Sequence, residues 1–169
     1  TIPAGALTVN VIIPILEDLL DEPNETFTVD GTLVSGTIDA ASSDFQGEVT
    51  IVDNDGTPSV TIGDVTVNEG DGTVSVPVTL SGPSSENTVI DIVTNIGTAG
   101  TSDYTTVTTQ VTIPAGALTV NVIIPILEDL LDEPNEIFTV DGTLVSGTID
   151  AASSDFQGEV TIVDNDGTP

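Results

Sequence analysis

The chain has 169 residues, of which 28 are Asp or Glu and none is Lys, Arg or His. Nucleic acids and anionic membrane surfaces are bound through cationic side chains, so this balance excludes both as partners. The lack of cysteine removes disulfides, zinc–thiolate sites and thiol catalysis, and no apolar run nears the ~18–20 residues that span a bilayer.

The apolar residues are mostly Val, Ile, Leu and Ala, with four Phe, one Tyr and no Trp. Together with abundant Thr, Gly and Pro, this favours strands and turns and predicts an all-β chain.

In chain order, the first feature is a repeat. Residues 1–58 recur as residues 112–169, an offset of 111, with Thr26 against Ile137 as the one difference. Ser59 to Val111 occurs once. One repeat is the size of a single β-sandwich and too long for a solenoid rung. The expected domains are therefore 1–58, the C-terminal part of one repeat, and 59–169, a complete repeat. Residues 1–58 then read as the tail of a cropped module, or as a piece that another chain completes.

In the complete repeat, Val60 and Ile62 alternate in one phase and Val65 and Val67 in the other, with Gly63 between them. A bulge or strand break is expected there. Val74, Val76, Val78 and Leu80 alternate with polar residues, the period of a half-buried strand. Pro77 lacks a backbone donor, which suggests an edge position or a bulge. Strands are also expected over 88–95 and 108–113, and along Leu118, Val120, Val122, Ile124 and Ile126. Phe138 with Val140, and Val160 with Ile162, mark the inner faces of the last two. Position 137, or 26, is out of phase and should face solvent or the less buried side. About seven short strands separated by Gly, Pro, Asn and Asp turns predict a Greek-key, immunoglobulin-like sandwich.

Acidic residues gather at the expected strand ends: Glu69, Asp103, Glu128, Asp129, Glu133, Glu136, Asp164 and Asp166. Loops of a sandwich cluster at its two ends, so several can meet. Two unit charges 4 Å apart repel by about 1 kcal/mol in water and about 4 kcal/mol at a dielectric of 20. Eight carboxylates at one end would then oppose the ~5–15 kcal/mol stability of a domain. Bound divalent cations remove the conflict. Many hard oxygen ligands without imidazole or thiolate select Ca2+, while Mg2+ prefers few carboxylates and keeps its waters. Asp64, Glu86, Asp91, Asp141, Asp150 and Asp155 are assigned to surface or turn roles, since Asp favours turns in any case.

Five segments in order now resemble the Calx-beta domain of sodium–calcium exchangers, an integrin β subunit and large RTX-type bacterial surface adhesins. They are Val67-Asn-Glu-Gly-Asp-Gly-Thr-Val, Gly97-Thr-Ala with Ser102-Asp-Tyr-Thr, and Ile113-Pro-Ala-Gly. Ile126-Leu-Glu-Asp-Leu-Leu-Asp-Glu-Pro-Asn-Glu-Ile-Phe and Val160-Thr-Ile-Val-Asp-Asn-Asp-Gly complete the set. The resemblance implies the same ligands, Glu69, Asp103, Glu128, Asp129, Glu133, Glu136, Asp164 and Asp166, with Asn165 offering a carbonyl oxygen. Leu130 stands where the exchanger-type motif has a third Asp, and Asn165 interrupts the terminal acidic run, so fewer or weaker ions are implied. The half repeat carries only Glu17, Asp18, Glu22, Glu25, Asp53 and Asp55, and its site should be incomplete. No EF-hand loop and no Gly-Gly nonapeptide repeat is present.

The function expected is a calcium-stabilised structural extender of a secreted or cell-surface adhesin or filament. Only about four residues separate Asp55 from the next strand at Val60, so calcium there would restrict bending between beads. The partners are neighbouring identical repeats, with other copies of the chain in a fibre as a further one and no membrane insertion. Calcium sensing is the alternative, as is a sugar- or ice-binding module using the Thr-rich stretch 105–112. Catalysis is not expected: carboxylate pairs alone could serve glycoside hydrolysis, but no His, Lys, Cys or Arg assists them.

Overall fold

A computed structural model describes residues 1–167; Thr168 and Pro169, the last two residues of the expected complete repeat, lie outside the described residues. Contacts divide the chain into two compact units. One holds Thr1–Leu19 and Pro23–Asp53; the other holds Leu20–Glu22 and everything from Asn54 onward.

The first unit contains one hairpin, β1 (Glu25–Asp30) against β2 (Gln46–Ile51). A short 3-10 turn at Ala40–Ser42 joins them, capped by the Asp39 carboxylate, which accepts from the Ala41 N–H.

The second unit is a two-layer β-sandwich. Its strands are β3 (Val60–Ile62), β4 (Val65–Asn68), β5 (Thr73–Leu80), β6 (Thr88–Ile96), β7 (Thr108–Ile113), β8 (Thr119–Pro125), β9 (Glu136–Ser146) and β10 (Gln157–Val163). One sheet has the order β3-β5-β8 and the other β4-β10-β9-β6-β7. All pairings are antiparallel except β4 with β10. The facing sides carry the alternating apolar residues read from the sequence. Val74, Val76, Val78 and Leu80 of β5, Ile90 and Ile92 of β6, and Phe138 and Val140 of β9 are all buried. Ile137, on the opposite side of β9 from Phe138, is half-buried.

The phase change at Gly63 is a full strand break. β3 belongs to the smaller sheet and β4 to the larger, so the chain crosses between layers at this glycine. A Cβ here would lie 2.9 Å from the Pro77 ring.

Pro77 is not at an edge, because β5 is the middle strand of its sheet. Its carbonyl accepts from the Gly63 N–H at 2.9 Å. In a strand the N and O of one residue point to the same side, so the missing donor of Pro77 faces β3 just where β3 ends. The proline is tolerated because its neighbour leaves, which the sequence pattern alone did not indicate.

Strand directions place four chain segments at one end of the sandwich: the β4–β5, β6–β7 and β8–β9 links and the residues that follow β10. The register pairs Glu136 with Ile162 and Ile96 with Phe138, which brings those termini level.

Candidate metal centre

Glu69 follows β4 directly, in a 3-10 turn over Glu69–Asp71. Asn68 caps the turn and Asp71 caps back to the Asn68 N–H at 3.0 Å, so Asp71 is occupied by the backbone. Gly72 closes it at φ 74°, in the left-handed region. The turn aims Glu69 inward, where only 5% of it remains exposed.

Asp103 sits in the link between β6 and β7. Its Oδ2 accepts from the Gly100 N–H at 2.6 Å, and its carbonyl accepts from the Leu127 N–H at 2.8 Å. The next residue, Tyr104, is fully buried and stacks on Phe138 with ring centroids 3.9 Å apart. This aromatic pair forms an apolar floor that keeps Asp103 at the sandwich end, with 8% exposed.

Asp129 and Glu133 come from the turn after β8, Glu136 opens β9, and Asp164 and Asp166 follow β10. The Asp129 N–H donates to Glu69 Oε1 at 3.3 Å, and Asp129 Oδ1 accepts from the Leu131 N–H at 2.7 Å.

The carboxylates meet in three interlocking groups: Glu69, Asp164 and Asp166; Glu69, Asp129 and Glu133; and Asp103, Glu133 and Glu136. Within each group, one oxygen from every member lies within 4.8 Å of the others. Glu69 and Glu133 each belong to two groups, so the set is one continuous acidic surface. Glu69, Asp103, Glu133, Glu136 and Asp164, with Pro134 and Ile162, line a small open pocket of about 10 Å³, roughly the room of one water-sized sphere.

Burial and mutual repulsion act on the same groups. Glu136 is pushed up to about 7, first by burial and then by its hydrogen bond with Asp103 and the charges of Asp103, Glu133 and Glu69. Loss of solvent raises Glu69, with Asp129, Glu128 and Asp164 adding to the rise and the Asp129 N–H opposing it. Glu133 is raised by desolvation first, then by Asp129, Asp103 and Asp164. Two carboxylate oxygens, Asp164 Oδ1 and Asp166 Oδ2, are buried with no hydrogen-bond partner. A buried acceptor left unpaired is costly, and no cationic side chain exists in the chain to meet it. Orphaned oxygens among clustered carboxylates fit a hard divalent cation.

Seven of the nine residues expected in the complete repeat therefore come together: Glu69, Asp103, Asp129, Glu133, Glu136, Asp164 and Asp166. Glu128 is in none of the three carboxylate groups. It pairs with Asn165, whose Nδ2 donates to Glu128 Oε2 at 3.3 Å. The sequence reading missed Gly70, whose absent side chain makes room for this pair. A Cβ there would lie 2.7 Å from Asn165 Nδ2 and 3.2 Å from Glu128 Oε2. The only signal was a glycine beside the acidic Glu69.

In the half repeat, Glu17, Asp18, Glu22, Glu25, Asp53 and Asp55 form no such group among the described residues. Most of the acids assigned to turns or the surface do bind locally. Asp150 caps the 3-10 turn Ala151–Ser153, and Asp64 Oδ1 accepts from the Glu159 N–H at 2.8 Å. Asp91 and Asp141 accept from Gln110 and Gln157.

The chain is thus an all-β sandwich with a carboxylate cluster at one end. A family model for the Calx-beta domain matches residues 52–166, and the chain belongs to that family. No curated protein matches the chain. Among solved structures, the apo-form Calx CBD1 domain is similar at a TM-score of 0.56 and 20% identity, over 66% of this chain and 100% of that one. A structure described as the calcium binding domain CBD12 of CALX1.1 aligns at 0.58 and 24%, over 65% of this chain. CBD12 from CALX1.2 aligns at 0.57 and 23%, over 64%. The chain spans 47% and 44% of those two CBD12 chains. At these identities the structural likeness shows the shared fold alone. Among the described residues, no helix is long and apolar enough to cross a membrane.

Proposed function

We propose that the chain is a calcium-stabilised structural module of a repeated, secreted or cell-surface adhesin or filament. The observation that carries this reading is the convergence of seven carboxylates on one end of the sandwich, without a cationic side chain to balance them. Calcium supplies the missing positive charge and takes several oxygen ligands in flexible geometry. Glu69, Asp129, Glu133, Asp164 and Asp166 would hold it, and Asp103 and Glu136 with Glu133 would serve a second position. Holding Asp164 and Asp166 fixes the chain just past β10, which supports a stabilised module more than a catalyst. The absence of Lys and Arg also leaves trypsin-type proteases no cleavage site.

The test is the melting temperature of the full chain in millimolar calcium, in magnesium and in chelator. A ligand at about 100 times its Kd adds about 2.7 kcal/mol, which raises the melting point by roughly 5–20 °C in a domain of this size. That rise with calcium, and little with magnesium, is the expected outcome. An unchanged melt would sink the calcium reading and leave the fold intact. Half-saturation far below millimolar calcium would favour the sensing alternative over the extender.

A further inference from the structure

Leu20–Glu22 is part of the first repeat by sequence, yet it packs with the second unit. Asp21 forms a parallel bridge with Ser84, in the loop between β5 and β6. The Asp21 N–H donates to the Pro83 carbonyl at 3.2 Å, and the Asp21 carbonyl accepts from the Ser85 N–H at 3.1 Å and Ser85 Oγ at 3.0 Å. Its carboxylate also accepts from Thr57 Oγ1 at 3.3 Å.

The receiving loop is held from its other side. The Ser84 carbonyl accepts from the Gly116 N–H at 2.8 Å, Ser84 Oγ accepts from the Glu86 N–H at 3.2 Å, and Ser84 is 2% exposed. The loop is thus a short, fixed edge that presents one acceptor and one donor in the register a parallel strand requires.

The counterpart of Leu20–Glu22, one repeat later, is Leu131–Glu133. There the segment lies at the carboxylate end of the sandwich, and Asp132 is exposed. The loop Pro83–Ser85 lies at the opposite end, where β5 exits and β6 enters. The donor turn and the receiving loop therefore occupy opposite ends of one module.

We infer that Pro83–Ser85 is a docking edge for the Leu-Asp-Glu turn of another copy of this repeat. The covalent linker is held as well: the Ser59 N–H donates to Ser81 Oγ, the Ser81 N–H donates to the Ser59 carbonyl, and the Pro58 carbonyl accepts from the Asp150 N–H. The bridge at Asp21 is tied to the linker through Thr57. The partner is another copy of this repeat, recognised mainly through its backbone, so its side chains can vary while the docking persists. The inference rests on the reading of the chain as tandem modules and not on bound calcium.

The absence of cysteine gives a clean test in the full chain. The double variant Asp21→Cys/Ser84→Cys should form an intrachain disulfide on mild oxidation, because bridge partners fall in the Cα range a disulfide spans. In the unsubstituted chain the Asp21 and Ser85 amides should exchange with solvent on the order of 100-fold more slowly than in a free peptide. Exchange at free-peptide rates, or no intrachain disulfide on oxidation, would overturn the docking edge. Where the Ser84 substitution fails to fold, hydrogen exchange alone decides. A chain whose melt ignores calcium but whose amides are protected loses the calcium reading and keeps the docking edge; the converse result removes only the docking edge.

Discussion

Glu69 is the residue on which the centre turns, since it belongs to two of the three carboxylate groups while accepting from the Asp129 N–H. Glu69→Gln keeps the shape and an acceptor oxygen but removes one charge. Without calcium the variant should melt a few degrees higher, because a repulsion of about 1–4 kcal/mol per close pair is relieved. With calcium it should melt lower than the parent, its affinity reduced about 10-fold or more. Calcium titration followed by melting checks both signs. Protons act on the same groups. Glu136 is raised from its ordinary 4.5 to about 7, so between those values the folded state holds a proton that the unfolded chain has released. That stabilisation is complete below about pH 4.5 and is lost as pH rises through 7. The chelated chain should therefore melt higher at pH 5.5 than at pH 8. Protons compete with calcium for the carboxylates, so the calcium-induced rise should shrink over the same descent. A chelated melt that falls on acidification would contradict this arrangement.

At the scale of elements, β10 and its copy β2 test how much a neighbour matters. Gly158 of β10 lies under the crossover of β3, where a Cβ would fall 2.7 Å from the Gly63 carbonyl and 2.9 Å from Ile62 Cγ2. Its counterpart Gly47 in β2 has only the Val29 carbonyl, at 4.0 Å. Gly158→Ala should destabilise by about 1–3 kcal/mol, the range for overpacking, while Gly47→Ala should stay within about 0.5 kcal/mol. Urea denaturation of the two variants gives the comparison, and equal effects would refute it. The two hairpins share their register residue for residue: Phe27 faces Val49 as Phe138 faces Val160, and Asp30 faces Gln46 as Asp141 faces Gln157. The 3-10 turns match as well, capped by Asp39 and Asp150. Hairpin and turn are therefore local properties of the sequence.

At the scale of the whole molecule, burial separates the copies. Phe138 is fully buried between the two sheets, whereas Phe27 is half-buried in a two-stranded sheet. Phe138→Ala should cost about 3–5 kcal/mol, and Phe27→Ala distinctly less. Denaturation monitored for each unit checks this. The segment 119–125 pairs with β5 as a strand, with Val122 and Ile124 at 3% and 0% exposure. The identical segment 8–14 forms no strand, and Val11 and Ile13 are 72% and 39% exposed. Seven identical residues thus take two conformations, because strand pairing needs a partner whose own faces are covered.

Much of this was legible in the residues alone. Alternation of Val and Ile with Thr and Ser specified the strands and their inner faces, the phase change located the break at Gly63, and the acids at strand ends pointed to a carboxylate cluster at one end. These are local or compositional signals, and period-two patterning carries them directly. The rest depended on three-dimensional neighbours. Pro77 proved central because β3 leaves its side, a fact held in the pairing of distant strands. Glu128 and Asn165 turned to each other beside the carboxylate groups, because the space over Gly70 suits that pair. Asp21 and Asp132 share one sequence context, yet only Asp21 meets a docking edge. Sequence determines which conformations a segment can adopt; tertiary structure decides among them, because backbone donors and apolar faces are satisfied by residues far along the chain.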